Sequence, residues 1–130
     1  MSLYNWIDSK ALKMLHEESL SIHGGSSGLR DYGLFESAMA HPENLAHYNP
    51  EADVADLAAS YAYGLAKNHP FVDGNKRAAF LSIGLFLGIN GYRLKASPVE
   101  AINTMLALAS GDLTEQQLAA WIRDNMTSLS

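Results

Sequence analysis

The chain has no cysteine among its 130 residues, which excludes disulfide bonds and thiolate zinc sites. Long hydrophobic runs are also lacking. The longest nearly apolar stretch, residues 78–89, has twelve residues, whereas a helix that spans a bilayer needs about 20. The first residues lack the charged-then-apolar pattern of a signal peptide. We therefore expect a cytoplasmic protein without a membrane segment, in which residues 78–89 form a buried central helix.

Positive charge is in short supply. The 9 Lys and Arg residues face 14 Asp and Glu residues, which gives a net charge of -5. This balance argues against a broad nucleic-acid surface, and we expect no direct nucleic-acid binding. A hydrophobic fraction of 48% with 18% charged residues is typical of a folded protein, and the length suits one domain over residues 1–130.

Apolar residues recur at helical spacing along most of the chain, and capping signals divide it into segments. The predicted class is all-α, a compact bundle of about six helices around one apolar helix. Residues 92–97 are expected to form a short connector with strand-like character. The first predicted helix ends before residues 23–25, and the others cover about residues 32–40, 51–67, 75–90, 98–110 and 115–121.

Residues 69–80, HPFVDGNKRAAF, crowd polar chemistry against the start of an apolar helix. One interpretation is structural, with Asp73 as a helix cap and Phe71 as a core anchor of the loop. It does not explain Lys76 and Arg77. Cations in the first helical turn oppose the macrodipole, at a cost of roughly 0.3–1 kcal/mol each. A bound anion would turn this energetic cost into a stabilising attraction.

The second interpretation is a nucleotide site. The free N–H groups of a helix start, together with Lys76 and Arg77, suit phosphate groups. Asp73 offers a hard oxygen ligand for Mg²⁺, and Asn75 offers an amide donor to a phosphate oxygen. His69 offers an imidazole that can take a proton from a hydroxyl. Such a set is typical of transfer of a phosphorus group to a hydroxyl, but spacing alone leaves both interpretations open.

Two stretches resemble a known family. Residues 69–77, HPFVDGNKR, resemble the Fic signature H-x-F-x-[DE]-[GA]-N-[GK]-R, in the form with lysine that is typical of the Doc (death-on-curing) branch. Residues 23–42, HGGSSGLRDYGLFESAMAHP, resemble the upstream block of Doc-type toxins. The resemblance extends over nearly the whole chain. It implies a Fic/Doc fold and a bacterial toxin that uses ATP to phosphorylate a hydroxyl of elongation factor Tu, which halts translation.

The resemblance also implies a role for each residue of the loop. His69 would be the general base, Asp73 the Mg²⁺ ligand and Phe71 the structural anchor. The implied ligands of the ATP phosphates are Gly74, Asn75, Lys76 and Arg77.

Two departures from the Fic pattern indicate which group is transferred. Fic proteins that transfer AMP have glycine where Lys76 stands, and often a second arginine where Phe80 stands. An apolar Phe80 cannot hold a phosphate, so the resemblance implies transfer of the γ-phosphate. AMP transfer to a protein hydroxyl is one alternative, and a non-catalytic inhibitory binding protein is another.

Control is expected to come from a separate chain. The Fic self-inhibition pattern [ST]-x-x-x-E-[GN] is not met, because Met39 stands where a Ser or Thr is needed before Glu43 and Asn44. The family implies an antitoxin protein with an amphipathic C-terminal tail as partner.

Two smaller questions concern charged side chains outside the loop. Arg30 and Asp31 could pair with each other or with the active-site loop, and the sequence leaves this open. His16, His41 and His47 share no ligand spacing, so we expect no zinc site.

Overall fold

The computed structural model describes residues 3–129, and most of them lie in six α-helices. The predicted all-α class is confirmed, with two very short strands added to it. Arg93 in the first strand lies opposite Thr127 in the second, in an antiparallel pair. The elements are α1 (Ser9–His23), α2 (Tyr32–Tyr48), α3 (Val54–Asn68), α4 (Asn75–Ile89), β1 (Tyr92–Leu94), α5 (Pro98–Ser110), α6 (Glu115–Asn125) and β2 (Met126–Ser128).

Five of these helices have an N-cap residue whose side chain accepts a hydrogen bond from a backbone N–H of the first turn, which stabilises the helix start. The capping residues are Asp8, Asp31, Asp53, Ser97 and Thr114. The exception is α4, which begins after Gly74 without a side-chain cap. The start of α4 therefore keeps backbone N–H groups free for another partner.

The centre of the fold is the pair α3 and α4. Eleven of the 15 residues of α3 are buried, and α3 packs against α2, α4, α5 and α6. Gly64 lets α2 come close, since a Cβ there would lie 3.2 Å from the Cα of Ala38. The sequence indicated only residues 78–89 as central, because five of the eleven buried residues of α3 are alanine. No helix in residues 3–129 is long and apolar enough to cross a bilayer.

The predicted end of the second helix at Pro42 is wrong, because α2 continues to Tyr48 with Pro42 inside it. A proline within a helix removes one hydrogen bond and costs about 3 kcal/mol. The Pro42 side chain is buried, and Leu45 and Ala46 beyond it pack against the core. Packing of this second half outweighs the local cost.

Two other predicted boundaries also need correction. The third helix begins at Val54 rather than at residue 51, because Asp53 and Asp56 form a reciprocal capping box. The last helix does not stop at Trp121 but continues to Asn125. The side-chain amide of Asn125 donates to the carbonyl of Trp121 at 2.8 Å and closes this extra turn.

Candidate active site

The predicted site residues lie in the loop between α3 and α4 and in the first turn of α4. His69 is the C-cap of α3 and adopts the left-handed conformation, with φ 49° and ψ 54°. This conformation costs a residue with a side chain roughly 1–2 kcal/mol. Its side chain is exposed and has no hydrogen-bonding partner among residues 3–129. His69 is therefore a strained residue that presents a free imidazole to solvent.

The loop is bound by its backbone to the loop between α1 and α2, so the two stretches that resemble the family lie side by side. Val72 N–H donates to the carbonyl of Gly28 at 3.0 Å, and Arg30 N–H donates to that of Pro70 at 2.6 Å. A β-bridge joins Leu29 to Phe71. The upstream stretch therefore acts as the support of the site loop.

The side chain of Arg30 completes this support. Its Nε donates to the carbonyl of His69 at 2.7 Å, and its Nη2 donates to the carbonyl of Asn68 at 2.9 Å. The last carbonyls of a helix lack internal partners, and Arg30 satisfies two of them next to the strained histidine. Asp31 instead caps α2 through Leu34 N–H. The open question about this pair is thus answered: the Arg30 side chain binds the active-site loop, and the Asp31 carboxylate caps α2 instead of pairing with Arg30.

Phe71 packs into the core beneath the loop and is only 2% exposed. Its ring stacks on that of His16, with centroids 3.8 Å apart, and forms a T-shaped pair with the ring of Phe35, with centroids 5.5 Å apart. The sequence did not identify His16 as part of the site. It is 1% exposed and lies one turn from Leu12 and one turn from Leu20 on the buried face of α1. This helical spacing is a sequence signal for the burial of His16, although not for its contact with the site loop.

Asn75 braces the loop from within. Its Oδ1 accepts the N–H of Phe71 at 2.9 Å, and its Nδ2 donates to the carbonyl of Phe71 at 3.0 Å. A side-chain amide has two N–H donors, so one of them is left for a ligand. Its role as a phosphate ligand remains a prediction.

Asp73 does not cap α4, which removes the simplest structural interpretation of this residue. The N-cap is Gly74, with a φ of 76°. The Asp73 carboxylate accepts the N–H of Gly74 at 2.8 Å and that of Ser26 at 3.3 Å. It is exposed, and a carboxylate has further lone pairs that can reach a cation.

Lys76 and Arg77 are exposed in the first turn of α4. Neither side chain forms an ion pair or hydrogen bond with any part of residues 3–129. These cations therefore remain uncompensated beside the free N–H groups that follow Gly74. The local field at this point favours an anion.

The side chains here suit Mg²⁺ only when it arrives with phosphates. Within residues 3–129, no three side chains of the kinds that ligate metals converge. Mg²⁺ in nucleotide sites usually takes one or two carboxylates, with phosphate oxygens and water completing its shell. Asp73 supplies one such carboxylate.

A cavity of about 570 Å³ opens between the start of α4 and α5. At one end it is polar and lined by residues 73–77. At the other end it is apolar and lined by Phe80, Ala96, Pro98, Ala101, Ile102, Met105 and Leu106. Lys67, a cation near the end of α3, does not line this cavity. Its Nζ lies 5.8 Å from the centroid of the Tyr63 ring.

These features define a helical protein with a braced loop, a free histidine and an uncapped, cationic helix start that favours anions. The model of the Fic/DOC family matches residues 6–87, and the chain belongs to this family. It is 31% identical to the protein kinase doc of Escherichia phage P1 over 117 residues, which are 90% of this chain and 92% of that protein. It is 44% identical to toxin Doc of Mycolicibacterium smegmatis over 75 residues, 56% of this chain and 57% of that protein. The resemblance to the Doc branch is confirmed.

Proposed function

We propose that this protein is a Doc-type toxin that transfers the γ-phosphate of Mg-ATP to a hydroxyl of a protein target, with elongation factor Tu as the expected target. The observation that carries the proposal is the free imidazole of His69 next to an uncapped helix start with two uncompensated cations. The similarity to a protein named as a kinase supports the same reaction class.

The proposed step is an in-line displacement at phosphorus. The imidazole of His69 takes the proton of the target hydroxyl, and the hydroxyl oxygen forms a bond to the γ-phosphorus. The bond between this phosphorus and the bridging oxygen to the β-phosphate breaks, and ADP leaves with that electron pair. Mg²⁺ held beside Asp73 would neutralise part of the phosphate charge. Lys76 and Arg77 would hold the transferred group through their free charges.

The residues past the helix start support phosphoryl transfer over AMP transfer. Phe80 lines the cavity one turn after Lys76, where an arginine would be needed to hold further phosphates. Lys76 also fills space that glycine leaves open in relatives that transfer AMP. The phosphate site of this chain is thus confined to the start of α4.

The position of a radiolabel tests the proposal. The purified protein is incubated with elongation factor Tu and Mg-ATP labelled at either the γ- or the α-phosphorus. We expect label on the target from γ-labelled ATP only, and none with His69→Ala. Label from α-labelled ATP would replace the proposal by AMP transfer. Growth arrest that persists with a folded His69→Ala variant would indicate an inhibitor that acts by binding alone.

The proposal includes restraint by a separate antitoxin chain. The self-inhibition pattern is not met, and a free kinase acting on a translation factor would harm its own cell. An acidic, amphipathic C-terminal tail could fold against the protein beside the locally basic loop. Co-expression with the adjacent small gene tests this. We expect growth to recover, and the two chains to copurify even with His69→Ala. Unchanged toxicity together with failure to copurify would exclude this neighbour as the partner.

A further inference from the structure

We propose that Arg30 is a positioning residue: its guanidinium sets the backbone conformation of His69 and, through it, the direction of the imidazole. The catalytic consequence rests on the proposed function, whereas the conformation of His69 can be measured without any substrate. Arg30 would thus do more than support the loop, because it would control the proton acceptor of the reaction.

The first argument is the geometry of the two hydrogen bonds. Nε of Arg30 donates to the carbonyl of His69 at 2.7 Å, and Nη2 donates to the carbonyl of Asn68 at 2.9 Å. These carbonyls belong to the two planar peptide groups that meet at the Cα of His69. Their relative orientation is therefore set by φ and ψ of His69. A rigid, planar guanidinium that binds both carbonyls at once fits only a narrow range of these two angles.

The second argument is that the local sequence does not favour the conformation of His69. A left-handed backbone, with φ 49° and ψ 54°, is unfavourable for a residue with a side chain. His69 also precedes Pro70, and the residue before a proline favours extended backbone. Within residues 3–129, no group other than Nε of Arg30 donates to the His69 carbonyl. Loss of this donor should let His69 relax toward extended backbone, which redirects its imidazole.

The third argument is that the Arg30 side chain acts separately from the backbone that holds the loop. The N–H groups of Arg30 and Asp31 both donate to the carbonyl of Pro70, at 2.6 and 3.1 Å. The side-chain amide of Asn68 donates to the carbonyl of Leu34 at 3.0 Å. A substitution at position 30 leaves all three bonds in place. The loop should therefore stay bound while the conformation of His69 is released.

The test compares Arg30→Ala and Arg30→Lys with the wild type, each as the full chain. Lysine keeps the charge, but its single ammonium cannot reproduce the planar, two-point contact. The control is Arg93→Ala, because Arg93 is exposed like Arg30 but lies in β1, outside the site loop. One measurement is the Cα and Cβ chemical shifts of His69 in the free protein, which report its backbone conformation. The other is steady-state phosphorylation of elongation factor Tu.

We expect left-handed backbone at His69 in the wild type and in Arg93→Ala, and extended backbone in both Arg30 variants. Arg30→Ala should lower kcat by roughly 10–100-fold, since misplacing a catalytic group by about 1 Å has an effect of this size. The KM for ATP should stay within about twofold, because Arg30 does not line the cavity at the start of α4. Added methylguanidinium should restore part of kcat to Arg30→Ala but none to Arg30→Lys, whose side chain occupies the space.

Unchanged chemical shifts of His69 in both Arg30 variants would overturn the proposal and leave the proposed function intact. So would a wild-type kcat in a variant whose His69 has become extended. A lowered melting temperature with equal losses in kcat and in ATP binding, and no rescue by methylguanidinium, would reduce Arg30 to a structural residue. Absence of phosphorylation by the wild type, with the chemical shifts changing as expected, would overturn the proposed function but not the conformational role of Arg30.

Discussion

Nε2 of His16 lies 2.7 Å from the carbonyl oxygen of Asp73, a bond that joins α1 to the start of α4. A carbonyl only accepts, so Nε2 carries the hydrogen and donates it. In a trans peptide the carbonyl and the following N–H point in opposite directions. By holding the Asp73 carbonyl, His16 turns the N–H of Gly74 away from α1 and toward the Asp73 carboxylate, 2.8 Å from it.

Replacing this histidine should impair nucleotide use more than folding. His16→Phe keeps a ring against Phe71 but removes the donor, which leaves the Asp73 carbonyl unpaired at a cost of about 1–3 kcal/mol. Loss of the fixed loop geometry should lower phosphorylation by up to about 100-fold. Kinetics should show a raised KM for ATP and an unchanged KM for the protein target. His16→Gln, which keeps a donor, should recover part of the activity. A wild-type KM for ATP in His16→Phe would show that the bond has no positioning role.

Asp73→Asn should separate the metal role from a structural one. The change removes the charge that Mg²⁺ needs but keeps an oxygen that can accept the N–H of Gly74. Activity should fall steeply at all Mg²⁺ concentrations that support the wild type. The free energy of unfolding should change by no more than about 0.5 kcal/mol, as for other exposed positions. Loss of stability with retained activity would mean that Asp73 only stabilises the loop and does not bind Mg²⁺.

Lys76→Gly restores the residue that relatives transferring AMP have at this point. Labelling from γ-labelled ATP should fall, because a charge at the helix start is lost. AMP transfer should not appear, because Phe80 still cannot hold the other phosphates. Lys10→Gly is the matched control, since Lys10 also stands second in its helix, α1. Unchanged phosphorylation by Lys76→Gly would show that Lys76 has no part in phosphate binding.

The ion pair between α6 and the start of α3 makes stability depend on acid. The hydrogen bonds of Arg123 to Asp53, at 2.8 and 3.0 Å, lower the pKa of Asp53 to about 2. Because this folded-state value lies below the ordinary 3.8, the stabilisation is fully present above pH 4. It is lost as the pH falls through about 2.

Arg123→Gln should therefore lower the free energy of unfolding near pH 7 and have progressively less effect toward pH 2. The side chains of Arg123 and Asp53 are 44% and 46% exposed, so solvent screening keeps the effect below about 1 kcal/mol. Urea unfolding across this pH range measures it. A difference between variant and wild type that grows in acid would contradict the assignment.

Local signals made most of the helices predictable, and tertiary contacts account for the differences. Caps such as Ser97 and Thr114 are recognisable because the capping residue and its partner lie only a few residues apart in the sequence. The helix end predicted at Pro42 was wrong because burial of the residues around the proline outweighs the cost of a proline within a helix. Local sequence does not reveal that burial. In the site, Phe71 was predictable as an anchor. His16 was not, because its partner Asp73 is 57 residues away.

The central claim is that His69 accepts the proton of a target hydroxyl that then receives the γ-phosphate. The most direct measurement is the intact mass of elongation factor Tu after incubation with Mg-ATP and either wild type or His69→Asn. Asparagine tolerates the left-handed conformation of residue 69, so the variant should keep its fold and its melting temperature. We predict that wild type adds the mass of one phosphoryl group and that the variant adds none. Addition of an AMP group by wild type, or of a phosphoryl group by the variant, would contradict the account.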